Sequence, residues 1–269
     1  KNSRAKFKKQ YKVLKMRSPL RVTAKKFRAL SALKTIIPLD SVVHSFLLFD
    51  GNMEIGLAHD GRFVVAHTNK YVIHEFWYCV REDAQRIVSA AEHFQPIEDK
   101  NIFYLLQESW PKYHDPFVRS ALFLLLNRYS STGRISSGEF HPEAYRPTDL
   151  ISIQRVGFSN LHLVYDKEEN YLDSIDKIQG RCDFVFVPIG DYSLNYMEEG
   201  RAEGFEDTTV IHREIKKTME KTSRKIILWY KTSDSLLRLY RDYKMYFIDK
   251  WGRRVEDKSS AEEVLIVNF

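Results

Sequence analysis

The residues best suited by type and spacing to do chemistry lie in the first seventeen positions. Lys6-Phe-Lys-Lys-Gln-Tyr-Lys-Val-Leu-Lys15 interleaves cations with aromatics, and Phe7, Tyr11 and Leu14 recur at i, i+4 and i+7, one face of a helix. Clustered Lys and Arg bind phosphate backbones by releasing counterions, without reading base sequence. Lys6, Lys8, Lys9, Lys12, Lys15 and Arg17 are therefore candidate nucleic-acid contacts, with a helix docked on an acidic protein and a solvated tail as the competing readings. Other reactive types are present but scattered. His59 and His67 flank a strand-like run and His74 follows it, without the convergence a metal needs, so no metal is expected. Cys79 and Cys182 have no CxxC partner, which argues against a thiolate zinc site and a disulfide framework and for a reducing compartment. Ser45 and Ser193 lack a GxSxG elbow, so a hydrolase has no support.

The charge is unevenly spread. From Lys1 to Lys34 there are thirteen Lys or Arg and no acid; the first acid is Asp40. The rest of the chain carries 29 basic and 36 acidic residues, a net of −7 hidden beneath the overall +6. A body of that sign is unlike a protein that grips nucleic acid over its whole surface. The 269 residues are 43% hydrophobic and 13% aromatic, enough for a large packed domain. Apolar runs are short, Ala121-Leu-Phe-Leu-Leu-Leu126 being the longest, so neither a membrane span nor a secretion signal is expected.

The elements that must position any site alternate. Strand-like runs fall at Val42–Leu48, Phe63–Ala66, Leu161–Tyr165, Phe184–Val187, Lys225–Tyr230, Met245–Ile248 and Val264–Phe269. Helical periodicity lies at Lys70–Phe94, Pro116–Tyr129, Tyr171–Ile178, Thr209–Thr222 and Asp234–Tyr243. Such alternation predicts an α/β fold with a mostly parallel sheet. The last two runs are joined by a polar stretch too short for a crossover helix and read as an antiparallel hairpin. Residues 99–160, helical and then rich in Ser, Gly and Pro, read as an insertion between 18–98 and 161–269. Trp77, Tyr78 and Trp229 read as core.

Over about residues 18–269 the chain resembles the Dam-like class of DNA adenine methyltransferases. Ser18-Pro-Leu-Arg-Val-Thr-Ala-Lys-Lys26 is similar to that family's "PLxxxGGK" opening, and Phe46–Ile55 stands where its "EPFxGGGAV" loop belongs. Arg62-Phe-Val-Val-Ala-His-Thr-Asn-Lys-Tyr71, running into Ile73-His-Glu-Phe-Trp77, is similar to "vvlnDiNpdLinfw". Arg119-Ser-Ala-Leu-Phe-Leu-Leu-Leu-Asn-Arg128 with Gly133 resembles "aAxflyLNRxxfnGlxR". Cys182-Asp-Phe-Val-Phe-Val187 resembles the strand entering the catalytic "DPPY", and Gly204-Phe-Glu-Asp207 the segment after it. Ile227-Leu-Trp-Tyr-Lys-Thr-Ser-Asp234 and Glu263-Val-Leu-Ile-Val-Asn-Phe269 resemble the family's later strands. The resemblance implies a Rossmann-like methyltransferase fold, S-adenosylmethionine as methyl donor, and residues 99–160 as the target-recognition region; relatives of this type are common in phages and their hosts.

The departures fall where that family does its work. Only Lys26 remains of the GGK triplet; Phe49-Asp-Gly-Asn-Met53 keeps Gly51 but puts Met53 at the second glycine; His67 stands where a carboxylate bonds the cofactor ribose. Lys26, Phe49, Gly51 and His67 are thus a degenerate cofactor set. In strict register Pro188, Ile189, Gly190 and Asp191 replace D, P, P and Y, followed by Tyr192, and proline offers no side-chain acceptor for the adenine amino group. Losing one such contact costs roughly a hundredfold in rate. The sequence therefore reads as a catalytically inactive methyltransferase-like protein acting as a nucleic-acid-binding or scaffold subunit, with no cofactor. Its partner would be double-stranded DNA held through the arm, alongside a protein assembly, in the cytoplasm, at the nucleoid or in a virion. One alternative is a diverged, active enzyme in which Asp191 accepts from the amino group, Tyr192 stacks on the base, and Gly51 with His67 forms a modified S-adenosylmethionine site. Another is a purely structural subunit. Arg128 and Arg134 are further candidate nucleic-acid contacts; for Asn127-Arg128, helix capping with a buried ion pair is the competing reading. Tyr129, Arg146 and Arg155 lie in the same region, where loop arginines are ordinarily solvated.

Overall fold

β-Branched and aromatic residues at strand spacing and longer apolar periods between them build a single sheet with helices on both faces. The structure, a computed structural model, describes residues 18–21, 28–166, 170–190 and 210–269. Its elements in order are α1 (Ala29–Ile36), β1 (Val42–Ser45), α2 (Asn52–His59), β2 (Phe63–Thr68), α3 (Tyr71–His93), α4 (Lys100–Ser109), α5 (Pro116–Tyr129), α6 (Thr148–Ile153), β3 (Leu161–Tyr165), α7 (Tyr171–Asp176), β4 (Phe184–Gly190), α8 (His212–Lys221), β5 (Ile226–Lys231), α9 (Asp234–Leu239), β6 (Lys244–Asp249), β7 (Arg254–Val255) and β8 (Ala261–Val267).

The strand order is β3-β2-β1-β4-β5-β8-β6-β7. The strands from β3 to β5 run parallel, and β8 pairs antiparallel with both β5 and β6. This is the Rossmann-like α/β arrangement with a C-terminal antiparallel hairpin that the sequence predicts. The sheet separates two apolar layers. One, around Phe76, Trp77 and Phe123, lies under α1, α2, α3 and α5. The other, around Ile175, Val187 and Leu228, lies under α7, α8 and α9.

α5 shows how local chemistry and burial combine. Asp115 caps it by accepting from the amides of Phe117 and Val118, and Pro116 follows at the first helical position. Every residue from Ser120 to Asn127 is buried, and Phe123 stacks on Phe76 of α3 with ring centroids 4.9 Å apart. Arg119 bonds both Glu75 oxygens, tying α5 to α3 and holding its guanidinium proton above the usual range. α3 itself is broken at Asp83, whose backbone leaves helical geometry and whose carboxylate accepts from the amide of Arg86, capping the second half.

Strand ends differ from expectation at two places that bear on the site. β1 stops at Ser45 rather than Leu48, because Leu47 takes φ +61° and turns the chain out of the sheet. β4 continues to Gly190, with Pro188 opposite Trp229 and Gly190 opposite Tyr230, so Ile189 is the extra residue of a bulge. Tyr78 is a correction. It is 43% exposed on the outer face of α3 under the Arg81 guanidinium, whereas Trp77 and Trp229 are buried as expected.

Candidate functional site

The carboxyl ends of β1, β2 and β4 meet where an open α/β sheet ordinarily holds its ligand. Here that edge is occupied by the chain's own side chains. After β1, Phe46, Leu47 and Leu48 are all buried, as is Met53 in the first turn of α2. Phe49 offers its carbonyl to the indole N–H of Trp77 at 2.7 Å. Gly51 caps α2 at φ +67°, and a Cβ there would lie 2.8 Å from the Trp77 ring. This glycine answers to packing and backbone conformation; its bare Cα faces an indole, not a ligand space. The buried carboxylate of Asp50 accepts from Asn52, which in turn accepts from the amide of Ser18.

His67, next to last in β2, joins a hydrogen-bonded chain that links β1, β2 and the residue after β3. Its Nε2 lies 2.9 Å from Nδ1 of His44 in β1, its Nδ1 lies 3.1 Å from an oxygen of Asp166 after β3, and Nε2 of His44 lies 3.3 Å from the carbonyl of Arg181. The protons can be placed by counting acceptors. A carbonyl only accepts, so Nε2 of His44 holds the proton and its Nδ1, in the neutral ring, is bare. His67 must then donate from Nε2. Its Nδ1 faces the Asp166 carboxylate, so both of its ring nitrogens are engaged. His44 stays neutral: burial, followed by the charge of His67, holds its pKa down to about 4. The His67 ring also stacks on Phe46 at 4.4 Å, nearly coplanar. Buried, stacked and bonded at both nitrogens, His67 has no acceptor to offer a ribose hydroxyl. The residues present do not fit S-adenosylmethionine in the manner the resemblance implies.

A groove of about 530 Å³ lies between β1–β3 and α7, lined by His44, His67 and Asp166 of this hydrogen-bonded chain together with Val42, Val65 and Val164. Lys177 and Arg181 stand at its rim, and Arg181 is paired with Asp183 at 2.8 Å.

The β4 end is equally filled. Pro188, Ile189 and Gly190 are buried, and beneath Trp229 the carboxylate of Glu263 accepts from both the indole N–H at 2.9 Å and the amide of Ala29 at 3.0 Å. Burial pushes the Glu263 carboxyl above its ordinary range. Asp191 and Tyr192 lie outside the described residues, as do Lys26 and the arm residues Lys6, Lys8, Lys9, Lys12, Lys15 and Arg17.

Arg128 and Arg134 lie elsewhere, around the carboxyl end of α5. Arg134 is exposed on the loop after it. Arg128 is mostly buried, its nearest carboxylate Asp149 at 3.6 Å. Asn127, fully buried beside it, accepts from the amide of Arg21 and donates to the carbonyls of Arg21 and Gly133. The sequence offers Asn127-Arg128 as a helix cap with a buried ion pair or as a nucleic-acid contact; the role of Asn127 as a clamp on a segment a hundred residues earlier has no local signature. His44 and Asp166 carry no signal in the sequence, because a His and an Asp on separate strands follow no spacing rule, and Glu263 stands out there only as the first residue of a strand motif. Among the described residues no group of three His, Cys, Asp or Glu could hold a metal, and no helix is long and apolar enough to cross a membrane.

No protein-family model matches this chain, and no curated protein matches it in sequence. Solved structures do. An rRNA methylase from Streptococcus thermophilus is 10% identical over 90% of this chain and 96% of its own, with a TM-score of 0.34. SMU.776, a candidate methyltransferase complexed with SAH, is 10% identical over 85% of this chain and 45% of its own, at 0.36. A precorrin-6y C5,15-methyltransferase from Geobacter metallireducens GS-15 is 12% identical over 91% of this chain and 88% of its own, at 0.31. At these scores the likeness carries no argument about activity; the α/β architecture rests on the strand order above.

Proposed function

We propose that this chain is a methyltransferase-like protein that does not transfer methyl groups and acts by binding nucleic acid, double-stranded DNA in the first instance, through its basic arm. The observation that carries the first half is His67. It stands near the end of the second strand, where the resemblance implies a ribose-binding carboxylate, with both nitrogens engaged and its face covered by Phe46. Gly51 pressed on Trp77 and Met53 buried below it support the same reading. Thirteen cations without one acid in the first 34 residues support the second half. Titration calorimetry with S-adenosylmethionine should show no heat of binding, and labelled methyl should not pass to duplex DNA. Micromolar binding of the donor would overturn the first half. A DNA affinity independent of salt would overturn the second.

A further inference from the structure

The carboxyl end of α5 gathers more positive charge than its surroundings balance. Arg128 is largely enclosed, and its Nε is buried with no hydrogen-bond partner. The Asp149 carboxylate stands 3.6 Å from it and accepts also from the backbone amide of Arg146 at 3.2 Å. Arg21, held in place by the Asn127 clamp, reaches over the same helix end and donates to the carbonyl of Ser130 at 3.2 Å. The frame is rigid. A Cβ at Gly133 would lie 2.3 Å from the Arg21 carbonyl oxygen, so the loop is pressed against this segment. Arg128 is under strain of charge: burial lowers its proton affinity first, and Arg21 and Arg146 lower it further, against the pull of Asp149 alone. Among the described residues neither Arg21 nor Arg146 has a carboxylate bonded to its own guanidinium, and the partial negative charge of the α5 terminus does not offset two full charges.

We propose that Arg21, Arg128 and Arg146 form an anion site that takes a phosphate group, and that its occupant is a backbone phosphodiester of the nucleic acid. The identity of the occupant rests on the nucleic-acid reading above. Guanidinium groups match phosphate in shape and hydrogen bonding; the exposed Arg146 can offer such contacts, while the enclosed Arg128, whose Nε has no accessible surface, adds charge beneath them. Asp149 then acts as an internal competitor: it holds Arg128 oriented in the free protein and repels the phosphate in the complex. The site is separate from the arm and would fix the body's orientation on the duplex, since phosphate contacts set register while carrying no base information.

The test uses the full chain, a labelled 20-base-pair duplex and a salt series read by fluorescence anisotropy. Arg146→Gln, on an exposed side chain, and Arg21→Gln should each lower the slope of log affinity against log salt by about one. Asp149→Asn should tighten binding about fivefold, the weight of one screened charge contact. Unchanged slopes in both Arg variants would overturn the site and leave the arm reading intact, as would weaker binding by Asp149→Asn. If the wild-type chain fails to bind the duplex at 50 mM salt, the nucleic-acid reading and this site fall together. Each variant's thermal transition, compared with wild type, separates loss of contact from loss of fold.

Discussion

His44 is the residue whose environment makes the sharpest pH prediction. Its folded pKa of about 4 lies below the ordinary value of 6.5, so the unfolded chain binds a proton that the folded chain refuses. The stability this neutral ring preserves is complete above about pH 6.5 and is lost as pH falls toward 4, by roughly 3 kcal/mol at most for a shift of this size. Urea melts at pH 7 and pH 4.5 should show the loss, and His44→Phe should flatten it relative to wild type; an equal slope in the variant would place the titration elsewhere. His74, also lowered by burial, contributes in the same direction and stays constant in that comparison. Gly51 gives a second test. Ala there must adopt φ +67° and push on the Trp77 ring, so Gly51→Ala should cost about 2 kcal/mol or more in the same melt. Were this glycine kept for cofactor approach alone, the substitution would leave stability unchanged.

Among the elements, α5 is the one on which most depends. It is buried along eight consecutive residues, packed on α3, and its last turn clamps residue 21 through Asn127. Replacing that amide by Ala leaves two carbonyls and one amide without their partner in a site with no exposed surface. Asn127→Ala should therefore destabilise by about 2–4 kcal/mol and expose the segment around Ser18–Arg21 to protease. A melt within 0.5 kcal/mol of wild type, about the scatter of ordinary surface substitutions, would show that the clamp is replaceable. α2, by contrast, is buried on every side from Met53 to Ala58 and so has no polar face. That is why the sequence shows no helical period there and the element is visible only in the fold. α1 escaped notice for another reason: its buried positions are two alanines and a leucine inside a basic stretch.

At the scale of the whole molecule the charge is divided between a cationic first 34 residues and a body of net −7. If the six basic residues Lys6, Lys8, Lys9, Lys12, Lys15 and Arg17 each neutralise one phosphate, the salt slope of duplex binding carries about five from the arm. Deleting residues 1–17 should remove that share and leave the smaller contribution from the α5 end. A slope unchanged by the deletion would move the contacts off the arm altogether.

The order of strands and helices was legible because period and β-branching are local: Leu161–Tyr165 and Pro116–Tyr129 agree with their expected bounds to the residue. The antiparallel pairing of β6 with β8 was legible because the polar stretch between them is too short for a crossover helix; the short β7 inside that stretch, which also pairs with β6, was not. The amino-acid sequence by itself also determined that a histidine stands at position 67 near the end of the second strand. What His67 does there was decided only by the tertiary structure. Its partners His44 and Asp166 come from neighbouring strands 23 and 99 residues away, and proton placement depends on a carbonyl at Arg181 that no sequence pattern marks. The same holds for Arg21, Arg128 and Arg146. Charge is written in the sequence, but the absence of a counter-charge is a property of the space the fold encloses.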